Sequence, residues 1–200
     1  MSKMKPLIGV LGLQGAYQAH ERSLQSLNCR TILVRKPETL KQCQALVMPG
    51  GESTTMGLLM QRFDLADALV EFGQQGKPMF VTCAGLILLA KQIVASQQPH
   101  LGLMDIEVER NAYGRQQESF KTELTIEQWQ QESMPAVFIR APKITNLLSD
   151  RVDVLASHEG FPVLVQQEHY LGACFHPELS GHTLVHQHFL TMVDHYLKSS

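Results

Sequence analysis

Three residues of this chain are of the types that together cleave an amide bond. One is Cys83, at the end of a short apolar run, and the others are His176 and Glu178, two apart. A thiol becomes a useful nucleophile when a base takes its proton and a carboxylate orients that base and stabilises its charged form. Residues i and i+2 of an extended chain face the same way, and a proline biases the residue before it toward extended geometry. His176-Pro177-Glu178 can therefore present imidazole and carboxylate side by side. Around the cysteine, Pro78-Met79-Phe80-Val81 reads as a strand, Thr82-Cys83-Ala84-Gly85 as a sharp turn, and Leu86 to Lys91 as helix. That order has the form of a nucleophile elbow, which lifts a reactive atom above a sheet. A thiol at a helix N-terminus also meets the positive end of the macrodipole, which favours thiolate.

Acyl transfer also needs donors for a developing oxyanion. The N–H of Ala84, just after the cysteine, is one candidate. Gly51 in the Gly50-Gly51 turn is the other, because glycine permits close backbone approach. Each signal is weak by itself: a cysteine after an apolar strand is commonly core, His-Pro-Glu a turn, and Pro-Gly-Gly a loop. Their weight comes from all three following strands in a compatible order. Cys174 shares the parity of His176 and reads as a small buried hydrophobe.

The elements that must position these groups follow from periodicity. Leu7 to Leu13, Thr31 to Val34, Ala45 to Met48 and the Cys83 strand are short apolar runs. Helical segments from Ala16 to Leu27, after Pro37, after Glu52, and from Asp64 to Gly73 separate them. Strand alternating with helix predicts a parallel α/β sheet, whose sites lie at the carboxyl ends of the strands. Beyond Gln97-Gln98-Pro99-His100 the pattern changes. Leu103 to Glu109 alternates apolar and charged residues, the mark of a half-exposed antiparallel strand. Phe120 to Ile126, Ala136 to Arg140, Val152 to Ala156, Pro162 to Gln166 and Tyr170 to Phe175 read as further strands, and Thr183 to Leu197 as a closing helix.

Two hundred residues, 44% of them apolar, suit one α/β domain with a mixed sheet. A net charge of −2 argues against a nucleic-acid or anionic-membrane surface. No apolar run reaches the roughly 20 residues of a membrane span, and the N-terminus lacks a signal-peptide pattern. Cys29, Cys43, Cys83 and Cys174 lack CxxC spacing, which points to a reduced cytosolic protein without a zinc site or disulfide framework.

Pro49-Gly50-Gly51-Glu52-Ser53-Thr54-Thr55, the run from Thr82 to Ala90, and Phe175-His176-Pro177-Glu178-Leu179 resemble the class I, triad-type glutamine amidotransferases. Three further segments narrow the resemblance to the glutaminase-subunit family of pyridoxal 5′-phosphate synthases. They are Gly12-Leu13-Gln14-Gly15 with His20, Arg110-Asn111-Ala112-Tyr113-Gly114-Arg115-Gln116 with Ser119-Phe120, and Phe138-Ile139-Arg140-Ala141-Pro142. The likeness runs from about Leu7 to Leu197.

The resemblance implies a flavodoxin-like, three-layer α/β fold with a mixed, mainly parallel sheet, residues 1–200 forming one amidotransferase domain. It implies hydrolysis of L-glutamine to L-glutamate and ammonia through a cysteine thioester. The ammonia would pass to a separate (β/α)8-barrel synthase subunit, in a large cytoplasmic hetero-oligomer that makes the vitamin B6 cofactor. Low activity before docking is implied too, with no cofactor or metal in the glutaminase itself. Carried over by position, Cys83 is the nucleophile, His176 the base and then acid, and Glu178 the orienter. Gly51, Glu52 and Ser53 form the glutamine-binding loop, and Arg110, Ile139 and Arg140 are the remaining glutamine contacts. One position departs: Val81 stands where the family usually has glycine. Two other readings stay open, a class I glutaminase serving another synthase such as the imidazole glycerol phosphate system, and a non-catalytic binding or redox-sensing protein with a reactive Cys83.

Other polar residues carry weaker expectations. The guanidinium forks of Arg110 and Arg140 match a carboxylate, against the alternative of solvated arginines. His182 and His186 share a helical face, with His188 nearby, but no acidic or cysteine partner accompanies them, so surface histidines are expected. His158-Glu159 is expected in a turn. His20 and Arg22 are open between a partner interface and a solvated face.

Overall fold

The computed structural model describes residues 5–110, 119–129 and 131–199. The first half alternates β1 (Leu7–Leu11), α1 (Tyr17–Ser26), β2 (Arg30–Val34), α2 (Pro37–Leu40), β3 (Ala45–Met48), α3 (Ser53–Arg62), α4 (Leu65–Gln74), β4 (Met79–Thr82) and α5 (Ala84–Leu89). Strands then dominate: β5 (Ala90–Ile93), β6 (Met104–Glu109), β7 (Ser119–Ile126), β8 (Gln131–Ile139), β9 (Lys143–Leu147), β10 (Asp153–His158), β11 (Phe161–Gln167) and β12 (Tyr170–Ala173). A 3₁₀ turn at Pro177–Leu179 and α6 (Leu184–Ser199) complete the chain.

Seven strands form the main sheet in the order β10-β11-β12-β4-β3-β1-β2. From β12 to β2 neighbours run parallel, while β10-β11 and β11-β12 are antiparallel. Its centre consists of Ala45–Met48 and Met79–Thr82, buried at every residue, as a parallel sheet covered on both faces requires. Successive side chains of β4 point to opposite faces. Phe80 meets His186 and Phe189 of α6, and Met79 lies against Gly73 of α4. With α1 beside α6 on one face and α3, α4 and α5 on the other, the fold has three layers around one contiguous apolar core.

The expected α/β order with a mixed, mainly parallel sheet is observed, with three local features besides β9 (Lys143–Leu147), a strand the sequence pattern did not predict. First, helix α5 stops at Leu89 because Ala90 turns extended (ψ 145). The apolar run expected to continue as helix instead enters β5, which pairs with β6, and β9 closes that three-stranded sheet. Second, Asp105 of β6 is buried rather than solvent-facing, so that strand is not half-exposed throughout. Lys91 Nζ (2.6 Å), Gln167 Nε2 (2.9 Å) and an Arg151 guanidinium nitrogen (2.9 Å) surround its carboxylate. The Lys91 hydrogen bond outweighs burial and holds Asp105 below its usual range. Third, Val81 does not prevent the elbow. It is buried between Met48 of β3 and Gly172 of β12, and Cys83 still adopts φ 47 and ψ −105.

Candidate active site

Strands β3, β4 and β12 lie side by side and parallel, so the loops after them open at one edge of the sheet. Those loops carry Gly50-Gly51, Cys83 and His176. The Cys83 N–H donates to Ala173 O at 2.9 Å, and its positive φ turns the side chain out of the strand direction. A non-glycine residue held there is strained, and such strain persists only when the surroundings enforce it. The Cys83 thiol reaches Ile139 O at 3.8 Å.

His176 is fixed at both ends. Its backbone N–H donates to Val137 O at 2.7 Å, and its Nδ1 donates to Glu178 Oε1 at 2.7 Å. That bond leaves Nε2 for Cys83. Burial by itself lowers His176, but hydrogen bonds and charge from Cys83 and Glu178 outweigh it and raise the imidazole to about 10. Burial likewise pushes Glu178 up, yet His20 and His176 more than offset it and hold the carboxylate below its usual range. The 3.8 Å sulfur contact to Ile139 O is weak, whereas the imidazole is firmly held by Glu178 at 2.7 Å.

Gly50 lies against this pair: a Cβ on it would meet Cys83 Cβ and His176 Nδ1 at 3.1 Å and His176 Cε1 closer still. Its carbonyl accepts from Ala16 N–H at 3.0 Å. Gly15, with φ 92, is the residue that lets the α1 loop approach, since any Cβ there would run into Gly50 O. Gln14 holds the next residues: its Oε1 accepts from Glu52 N–H at 2.8 Å and rests against Gly51.

The expected glutamine contacts gather beside this loop. Glu52 caps α3 by accepting from Thr54 N–H (3.1 Å) and Thr55 N–H (2.7 Å). Slight burial raises Glu52, but the bonds from Thr55 and Thr54 outweigh it and hold the carboxyl at about 2. Arg110 reaches Gln98 Oε1 (2.6 Å), Thr54 Oγ1 (3.2 Å) and Glu52 Oε1 (3.3 Å), and Ser53 Oγ also bonds Gln98 Oε1 at 3.2 Å. Ile139 supplies the carbonyl at Cys83, and Arg140 follows it, exposed, with φ 44. The rest of the motif after Arg110, from Asn111 to Gln116, lies outside the described residues. Ala84 begins α5 directly after Cys83.

Sequence reasoning misplaced several histidines. His186 is fully buried and His188 half-buried against Trp129, bonded through Nε2 to Gln166 Oε1 at 2.7 Å, so only His182 of the three is the exposed histidine expected. Helix α6 turns His186 inward against Phe80, a contact that no local pattern announces. His158 ends β10 and Glu159 has φ 49, the expected turn. Arg22 is exposed, but His20 is buried, 3.0 Å from His186 Nε2, 3.1 Å from Thr82 Oγ1 and 3.3 Å from Glu178 Oε2. Cys174 is fully buried, as expected. Gln14 and Gln98 had no assigned role, and the buried His20 fits neither the partner interface nor the solvated face expected for it. The signal for Gln14 and His20 was their place on and just after the loop that follows β1, a fourth strand end at the same edge.

A family model described as the SNO glutamine amidotransferase family matches residues 10–195. A protein of Desulforamulus reducens named pyridoxal 5′-phosphate synthase subunit PdxT is 55% identical over 187 residues, 94% of this chain and 99% of its own. A Geobacillus kaustophilus protein of the same name is 52% identical over 186 residues, 93% of this chain and 94% of its own. A crystal structure of a glutamine amidotransferase superposes with a TM-score of 0.88 at 43% identity, over 94% of this chain and 98% of that one. A chain in the structure of PurLQS from Thermotoga maritima shares the fold, with a TM-score of 0.65 at 17% identity over 97% of this chain and 100% of that one.

Proposed function

Since the chain belongs to the SNO glutamine amidotransferase family, we infer that it hydrolyses L-glutamine to L-glutamate and ammonia as the glutaminase subunit of pyridoxal 5′-phosphate synthase. The observation that carries the chemistry is the Cys83, His176, Glu178 set after adjacent parallel strands, with His176 Nδ1 on Glu178 at 2.7 Å. Relatives named as subunits of that synthase favour it over the imidazole glycerol phosphate system.

The residues take these roles. His176 Nε2 holds the Cys83 proton, and the thiolate so formed attacks the side-chain amide carbon of glutamine. The amide oxygen becomes an oxyanion, received by the backbone N–H groups of Ala84 and Gly51. His176 then gives its proton to the leaving nitrogen, ammonia departs, and a γ-glutamyl thioester remains on Cys83. Water, deprotonated by His176, attacks that thioester and releases glutamate. Glu178 keeps the imidazole in the Nδ1–H form throughout. Glu52, Ser53, Arg110, Ile139 and Arg140 hold the glutamine, Arg110 supplying charge for its α-carboxylate.

The reading takes residues 1–200 as one cytoplasmic amidotransferase domain that passes ammonia to a (β/α)8-barrel synthase subunit within a large hetero-oligomer. Cys83 is only 5% exposed, which fits a site that opens and completes its oxyanion hole on docking. No described helix is long and apolar enough to cross a membrane. The test is glutamate release from glutamine with and without the synthase subunit. Release is expected with it and lost in Cys83→Ala; absence of release from the wild-type complex overturns the reading.

A further inference from the structure

We propose that His20 is a positioning residue for the Glu178–His176 pair: its Nε2–H holds the second carboxylate oxygen of Glu178, and His186 sets the tautomer that makes this possible. The proposal rests on the glutaminase reading for its kinetic consequences, and on geometry for the rest.

Five groups from four separate elements meet here: His20 of α1, Thr82 of β4, His176 and Glu178 at and beside the 3₁₀ turn, and His186 of α6. A carboxylate only accepts hydrogen bonds. His176 supplies the donor to Oε1. The other oxygen, Oε2, is buried, and no described group meets it in good hydrogen-bonding geometry. His20 Nε2, 3.3 Å away, is the donor it faces. A bare Nε2 there would set one lone pair against another, so Nε2 carries the proton and shares it between Oε2 and Thr82 Oγ1 at 3.1 Å.

The rest of the chain of bonds follows from that assignment. His20 Nδ1 is then bare and accepts from His186 Nε2–H at 3.0 Å. His186 Nδ1 is in turn a bare acceptor, and it is buried without a partner among the described residues. An unpaired buried acceptor is tolerated more readily than an unpaired N–H. The opposite choice, His20 Nδ1–H donating to His186, would strand a buried N–H on His186 and turn a lone pair toward Glu178. Of the two tautomer pairs, the first leaves no buried N–H stranded and no lone pair turned toward Glu178. The titratable groups facing His20 are Glu178, His176 and His186; Thr82 and Phe80, its other close neighbours, carry no charge. Burial lowers both His20 and His186, which keeps both neutral.

A carboxylate anchored at one oxygen can swing, and the imidazole it orients swings with it. Anchored at both, Glu178 stays in the plane that His176 needs. The His20 donor also makes Glu178 less basic, so the proton gained from Cys83 stays on His176 rather than moving to the carboxylate.

The experiment measures glutaminase kinetics of the complex with the synthase subunit for His20→Ala, His20→Gln and His186→Leu. Losing a hydrogen bond to a charged group in His20→Ala should lower kcat about 10-fold with KM little changed. The acid limb of the pH profile should move to higher pH, because Glu178 protonates sooner. His20→Gln restores an N–H near Oε2 and should recover most of both. If His20→Ala does not fold, His186→Leu, which frees the His20 tautomer, should show the same direction of change. Unaltered kcat and acid limb overturn the proposal, as does a loss that His20→Gln leaves unrepaired. Two-bond ¹H–¹⁵N spectra of the imidazoles provide a readout independent of turnover. Protons on Nε2 of His20 and of His186 are expected; a proton on Nδ1 of His20 refutes the arrangement. A wild-type complex that releases no glutamate would sink the glutaminase reading instead, leaving the tautomers to decide the positioning role.

Discussion

Gly50→Ala is the sharpest test of how closely the loop after β3 packs against the nucleophile and its base. The added methyl would sit 3.1 Å from Cys83 Cβ and from His176 Nδ1, and closer to His176 Cε1, where ordinary contact begins at 3.4 Å. None of those atoms is the free end of a flexible side chain. Cys83 Cβ is fixed by its own backbone, and the imidazole is held by Glu178 at 2.7 Å and by its main-chain bond to Val137. Relief therefore means moving the imidazole or the loop by on the order of 1 Å, a misplacement that typically costs about 10²-fold in rate. Overpacking should also cost about 1–3 kcal/mol of stability. The assay is steady-state glutamate release by the complex, alongside urea unfolding of the isolated subunit. The expected result is a fall in kcat of about 100-fold, far more than so modest a loss of stability would produce in a protein that remains folded. A variant within about threefold of wild type, well short of that misplacement effect, would show that the loop and His176 are not in contact as described.

Further outcomes follow from other contacts. Arg110→Ala removes the guanidinium beside Glu52 and Gln98, and should raise KM for glutamine about 10-fold or more with kcat nearly unchanged; an equal fall in kcat at constant KM would contradict a binding role. Burial lowers His186 from 6.5 to about 3, so the unfolded chain binds the extra proton between those values and stability falls as pH drops through that window. His186→Leu should flatten that decline in urea unfolding compared between about pH 7 and about pH 4.5, either side of the ordinary histidine range, and an unchanged slope would mean that His186 is already charged in the fold. Asp105→Asn weakens the lock to Lys91 and Arg151 and should cost about 1–3 kcal/mol in urea unfolding without altering glutaminase kcat.

The strand-turn-helix at Cys83 was legible because it is local, an apolar run followed by turn residues. The pairing of His176 with Glu178 was legible from their spacing, but a 3₁₀ turn at Pro177–Leu179 rather than extended backbone brings the two together. The convergence of three strand ends was legible from their parallel order. The roles of His20 and His186 were not. Each sits in a helix whose own pattern treats histidine as polar, and their burial arises from contacts 166 and 62 residues apart in the chain. Strand β5 was hidden for a similar reason. Leu86 to Ile93 is mostly apolar and lacks a breaker, so only the pairing with β6 turns its second half extended. Val81 teaches the converse. A glycine two residues before the nucleophile is not required, because space at the elbow comes from other strands and turns. A Cβ on Gly85 would collide with Met48 O, and one on Gly172 would meet Leu86 Cδ1 at 2.5 Å. Those two glycines provide the clearance.

The central claim is that Cys83 attacks glutamine and carries its acyl group. Acid-quenching the complex during turnover and mapping peptides by mass spectrometry tests it most directly. A γ-glutamyl adduct on the peptide containing Cys83 is expected, with neither adduct nor glutamate in Cys83→Ala. Continued glutamate release by Cys83→Ala, or an adduct on Cys174 instead, would contradict the account.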